Sequence, residues 1–295
     1  MTSLPPDDPR ALIEAGLRHE KGGALDVALD HYERAASIAQ DPATRSEAVR
    51  RQSIVFRRRS DWDTAIDLAR RAGEIASAAG LLEQFAQTVN TEAAVHLMRG
   101  NTDEASQLFS RVAEGTNDPK VRAIALQNLG TIAAQRGEWE SARERFRESV
   151  VCFQRAGDAW GEAIALNNYG RAALDHGNLM MAEELLEQAV GAARRVEDYD
   201  SAALAMLNQA EAFAGMKRFP RATELATSAL DFYTAAGNDL RRSEALRILG
   251  DIVAKQGDKP RARERYAEAL ELAVSSEAPM EADLIRRRIA ELDGA

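Results

Sequence analysis

Apolar and small residues recur along the chain at three- and four-residue intervals, in paired stretches separated by short polar breaks. This spacing predicts amphipathic helices. The stretch Ala163 to Val190, AIALNNYGRAALDHGNLMMAEELLEQAV, reads as two such helices joined by a Gly-Asn turn. Aligned on an alanine of the second helix, copies of the pair fall at Ala28, Ala65, Ala105, Ala142, Ala182, Ala222 and Ala262, with steps of 37, 40, 37, 40, 40 and 40 residues.

The copies share more than one column. Four residues after the anchor stands a large side chain in most of them (Tyr32, Phe109, Phe146, Leu186, Tyr266), with Ala69 and Ala226 as exceptions. Seven residues after it comes Ala35, Ala72, Val112, Ser149, Ala189, Ala229 or Ala269. Twelve residues before it, on the first helix, stands Gly16, Ser53, Ala93, Gly130, Gly170, Ala210 or Gly250. Glycine inside a helix costs about 1 kcal/mol relative to alanine, so its return at this place calls for close helix approach. Five residues before the anchor, Gly23, Gly100, Gly137, Gly177 and Gly257 end the first helix, with Ser60 and Lys217 in the other two copies. Both short steps contain an Asp-Pro pair, Asp41-Pro42 or Asp118-Pro119, suited to capping and starting the next helix.

Composition agrees with many thin helix contacts: 45% of residues are hydrophobic and only 5% aromatic. The formal charge of -9 would repel nucleic acid and anionic membrane surfaces. One cysteine, Cys152, cannot make an internal disulfide and reads as a small buried residue near a helix end. The start, MTSLPPDDPR, lacks a basic segment followed by an apolar run, and no later apolar run reaches the roughly 18 residues of a membrane span. A soluble cytoplasmic protein is expected.

The Leu129-Gly130 and Leu249-Gly250 pairs, the turn glycines and the small, large and small columns of the second helix together resemble the tetratricopeptide repeat family. The family's usual period is 34 residues; the longer step here is similar to the repeats of kinesin light chains and bacterial regulatory proteins. The resemblance implies an all-α, right-handed α-solenoid of seven helix-turn-helix units over residues 10–276, after a disordered lead at 1–9. A capping helix and tail would occupy 277–295, where Leu284, Ile285, Ile289 and Leu292 share helical spacing.

No catalytic constellation stands out, and no enzyme activity or cofactor is expected. His19, His31, His96 and His176 show no paired metal-ligand spacing, and no glycine-rich phosphate loop occurs. What the columns offer is recognition. Asn128, Asn168 and Asn208 recur once per repeat, although asparagine is a mediocre helix former. The resemblance implies that they face the concave groove lined by the first helices. There a carboxamide can meet both the N–H and the C=O of an extended peptide, about every third residue of it. Duplication without selection for binding would give the same column.

By the same resemblance Gln127, Asn167, Asn90, Thr131 and Arg171 make the groove polar, while Leu97, Met98, Leu174 and Leu207 offer apolar pockets. Arg50, Arg57 and Arg58 form either an anchor for a partner's carboxylates or a cluster neutralised by Glu14 and Glu20 of the preceding copy. With Glu211, Glu244 and Asp251 at the other end, the groove would grade from basic to acidic. The five-residue clamp with which some relatives hold chaperone tails is absent. The expected function is non-catalytic binding of a protein or peptide segment. The alternatives are homo-oligomeric self-assembly, or peptide sensing with a separate effector.

Overall fold

The computed structural model describes residues 8–294, and among these it consists of α-helices joined by short turns, with no strand. The chain divides into two units, 1–136 and 137–295. The N-terminal unit holds α1 (Pro9–Lys21), α2 (Leu25–Ile38), α3 (Pro42–Arg58), α4 (Trp62–Ala78), α5 (Leu82–Arg99), α6 (Thr102–Gly115) and α7 (Pro119–Gln135). The C-terminal unit begins with α8 (Trp139–Arg155), α9 (Ala159–Asp175), α10 (Leu179–Arg195) and α11 (Tyr199–Gly215). It continues with α12 (Phe219–Ala235), α13 (Asp239–Lys255), α14 (Lys259–Ser275) and α15 (Pro279–Gly294). Within each unit every helix packs on the next, and successive first helices also touch: α1, α3, α5 and α7 in one unit, α9, α11, α13 and α15 in the other. This is the packing of an all-α solenoid of helix-turn-helix repeats.

The helix starts have local causes. Asp41 caps α3, its carboxylate accepting from Thr44 N at 2.9 Å, and Asp118 caps α7 through Lys120 N at 2.8 Å, each with proline next in the chain. Asp158, Asp198 and Asn238 cap α9, α11 and α13 in the same way. One more such start escaped the sequence reading: Asp8 caps α1 and Pro9 opens it. The disordered lead expected at 1–9 is therefore too long at its end; residues 1–7, and Ala295 of the expected tail, lie outside the described residues.

All seven anchor alanines are 0% exposed, which is why no larger side chain stands in that column. The large side chains four residues on, Tyr32, Phe109, Phe146, Leu186 and Tyr266, are at most 2% exposed. They explain the glycines of the first helix, because a Cβ on Gly16 would lie 2.4 Å from the Tyr32 ring and one on Gly170 2.6 Å from Leu186. Buried hydroxyls add a tie the pattern did not reveal: Ser46 donates to Ala72 O at 2.8 Å and Ser243 to Ala269 O at 2.7 Å. At the end, Ala282 and Ile285 of α15 are buried against α14 and α13, with Ile289 and Leu292 half-buried beside them.

Lys217 carries a cost. It occupies the turn place that glycine holds in most copies, with φ of 59°, where an L side chain is disfavoured by about 1–2 kcal/mol. Lys217→Gly is expected to stabilise the protein by about 1 kcal/mol. A melting temperature that falls in thermal denaturation would contradict this.

Candidate functional site

In the C-terminal unit the first helices α9, α11 and α13, with α14 and α15, enclose a cleft of about 510 Å³. Leu174, Leu179, Ile248 and Ile252 supply most of its apolar lining, and its charges are Arg171, Lys255 and Arg288 against Asp175, Glu211, Asp251 and Glu291. Four of the expected groove residues, Arg171, Leu174, Glu211 and Asp251, are thus brought to one cavity.

The charges form a linked chain. Arg171 bonds Glu211 on the next first helix and Asp175 on its own, the latter at 2.7 Å. Arg247 donates to Glu281 of α15 at 2.8 Å and to Asp251 at 3.2 Å, and lies 3.8 Å from Glu211. Asp251 also receives the Tyr266 hydroxyl at 2.7 Å and faces Arg288 at 3.3 Å. Burial opposes the charge of Arg247, but Glu281, Glu211 and Asp251 more than offset it and raise its pKa. For Arg171 the same opposition is outweighed by Glu211 and Asp175. Burial first, then Asp251, pushes the Tyr266 phenol up. Arg247 and Tyr266 were missed by the sequence reading. The signal was present for Arg247, which stands fifteen residues before its anchor, in the column of Asn90, Gln127, Asn167 and Leu207.

The asparagines are not equivalent. Asn208 is 8% exposed and spent within the protein: its Nδ2 donates to Asn167 Oδ1 at 2.9 Å and its Oδ1 accepts from Arg171 at 3.5 Å. Asn168 is half-exposed and makes no side-chain hydrogen bond among the described residues. Leu207, expected to open onto the groove, is 1% exposed and belongs to the core with Ala210, Leu225 and Ala226. Ala226 replaces the large side chain of other copies, and Leu207 fills that same cluster.

In the N-terminal unit, Asn128 turns its Nδ2 back to Ile124 O at 2.8 Å, and Thr131 bonds Gln127 O at 3.1 Å. Asn90 is 8% exposed and ties α5 to α7 through Val121 O at 3.1 Å. Its Oδ1 and the Oε1 of Gln127 are buried acceptors with no protein donor.

The arginine cluster is mostly neutralised at home. Arg50 and Arg51 both bind Glu47, at 2.8 and 2.7 Å, rather than Glu14. Arg58 holds Glu20, by its carbonyl at 3.0 Å and its carboxylate at 3.4 Å. Arg57 makes no ion pair among the described residues, and burial, followed by the charge of Arg58, lowers its pKa. Glu244 is likewise taken by Arg241 at 2.6 Å. The graded basic-to-acidic groove is corrected accordingly, because nearly every charge counted toward it has an internal partner.

His19 and His31 stack with ring centroids 5.4 Å apart across the first helical hairpin. Among the described residues no group of three or more His, Cys, Asp or Glu is placed to hold a metal ion, and no helix is long and apolar enough to cross a membrane.

The chain is 28% identical over 100 residues to a photosystem I assembly protein, Ycf3, of Prochlorococcus marinus (strain MIT 9303). That alignment takes in 34% of this chain and spans 58% of the relative's length. Among solved structures, the apo form of the quorum sensor NprR from B. thuringiensis superposes with a TM-score of 0.71 at 15% identity, over 88% of this chain and 75% of the other. A Rap protein complexed with Competence and Sporulation Factor gives a TM-score of 0.63 at 15% identity, over 96% and 74%. At such identities the likeness is one of fold. The tetratricopeptide repeat family model matches residues 120–195, 161–235 and 200–273, overlapping stretches that together run over more than half of the 295 residues. With its anchor alanines, turn glycines and stacked helix pairs, the chain belongs to the tetratricopeptide repeat family.

Proposed function

We propose that the protein is a non-catalytic binding adaptor that holds a segment of a partner protein or a peptide against the first helices of its repeats. The observation that carries this reading is the cleft of the C-terminal unit, an apolar lining of Leu174, Leu179, Ile248 and Ile252 flanked by Arg171, Lys255 and paired carboxylates. An apolar floor with a few polar groups at its rim suits a side chain of the bound segment, oriented by its backbone. Asn168 is the carboxamide free to meet that backbone, whereas Asn208 acts by holding Asn167 and Arg171 in place. In the N-terminal unit Arg57, which makes no ion pair among the described residues, is left to meet an anionic group.

A sensing role with a separate effector is the second reading, favoured by fold relatives that include a quorum sensor and a Rap protein held with a signalling factor.

The test is affinity capture with the wild type and with Asn168→Ala/Leu174→Ala, identification of partners by mass spectrometry, and titration of the identified segment. The variant is expected to keep its helicity and lose about tenfold or more in affinity, since two contacts of about 1 kcal/mol each are removed. Equal dissociation constants would sink the proposal.

A further inference from the structure

We propose that the edge of the C-terminal unit formed by the turns leading into α9, α11, α13 and α15 is a docking strip for a cationic amphipathic helix of a partner protein. Soluble proteins scatter their exposed apolar side chains singly, and a row of them marks an interface. Among the described residues this unit exposes eight large apolar side chains, and five of them stand at these turns: Trp160, Val196, Tyr199, Leu240 and Met280. Trp160, Tyr199 and Met280 are 55%, 54% and 86% exposed. Neighbouring turns adjoin, because Trp160 Nε1 donates to Asp198 Oδ2 at 2.8 Å across them.

Charge selects the occupant. Residues 156–160, 196–200, 236–240 and 276–280 contain six carboxylates and no lysine or arginine. Arginines at the adjoining helix ends only partly answer them: Arg195 and Arg242 are bound to Glu162 and Asp239, and Arg194 leans on Met206. Glu197, Asp200 and Glu277 make no ion pair among the described residues, and of the nearby cations only Arg155 and Arg194 are likewise without one, while Arg241, paired with Glu244, lends its field to Asp200. A second copy of this edge would set like charges against each other, so the strip fits a basic partner.

Geometry selects a helix. The turn N–H groups already bond the ends of the second helices, as in Gly157 to Gln154 O at 3.0 Å and Glu197 to Arg194 O at 3.1 Å. An extended segment would find no row of free backbone groups to pair with, whereas a helix satisfies its own. Neighbouring helices pack about 10 Å apart, which matches seven residues of an α-helix, about 10.5 Å. Apolar side chains at heptad spacing on a partner helix would meet one turn each.

The probe is a fluorescein-labelled three-heptad helix of leucine and lysine, with a leucine and glutamate counterpart, titrated against the full chain by anisotropy and by acrylamide quenching of tryptophan. The lysine helix is expected to bind and shield Trp160, the most exposed tryptophan. Tyr199→Ser/Leu240→Ser/Met280→Ser is expected to weaken binding about tenfold or more, while Leu174→Ala in the cleft leaves it unchanged. Equal binding by the triple variant, or equal affinity for the glutamate helix, overturns the proposal. So does a dimer in light scattering that the triple variant abolishes, since the strip would then belong to a second copy.

Discussion

Arg247→Ala is expected to cost the C-terminal unit about 3–5 kcal/mol, more than any other single truncation among its polar residues. The side chains of Arg247 and Glu281 are 11% and 12% exposed, and among the described residues the guanidinium is the one ion-pair partner of Glu281 while also serving Asp251 and Glu211. Removing it leaves a buried carboxylate uncompensated, and desolvation of that charge dominates the loss. Arg247→Met/Glu281→Met removes cation and orphan together and is expected to recover most of the stability. The sign of the pH effect is fixed too. A base whose pKa is raised on folding contributes fully below its unfolded value, so the contribution of Arg247 persists through the neutral range. Urea denaturation followed by circular dichroism measures both variants, and hydrogen exchange shows whether α15 opens first. A loss below about 1 kcal/mol would mean that water screens the pair as it does a surface bridge.

Gly250→Ala and Gly191→Ala, the same chemical change in two helices of one unit, are expected to act with opposite signs. Alanine is favoured over glycine in a helix interior by about 1 kcal/mol. At Gly191 in α10 nothing lies within 4 Å of the new Cβ, so the gain is realised. At Gly250 the Cβ would fall 2.5 Å from Cε1 of Tyr266 and 2.7 Å from Cδ1. That ring is 2% exposed and its hydroxyl is bound to Asp251 at 2.7 Å, so it cannot move aside without breaking the bond. Overpacking then outweighs propensity, for a net loss of about 1–3 kcal/mol. Gly250→Ala/Tyr266→Ala reproduces the Ala210 and Ala226 pairing of the sixth repeat and is expected to remove the clash while losing the contacts of the ring. If Gly250→Ala raises the melting temperature, the glycine column has no packing cause.

The repeat, its columns and the Asp-Pro starts were readable because each rests on short-range chemistry. A carboxylate three residues before an N–H, or a turn that needs positive φ, leaves its mark within five residues of sequence. The groove was readable only as a set of columns. Register placed Arg171 and Leu174 on the cleft, but it also placed Leu207 there, and Leu207 is core. The difference lies in a buried cluster that Leu207 shares with Ala226, nineteen residues away, where other copies carry a large side chain.

By itself, then, the sequence determined the helices, their ends, the small and large columns that make them stack, and hence the fold, because these follow from periodicity and from local hydrogen bonding. Only the tertiary structure decided which side chains of a column are open. Arg247 meets Glu281 thirty-four residues away, Asn208 meets Asn167 forty-one residues away, and Asn168, in the same column as Asn208, makes no side-chain hydrogen bond among the described residues. Long polar side chains reach across to neighbouring helices, and whether one finds a partner there depends on distances that no spacing within one repeat encodes.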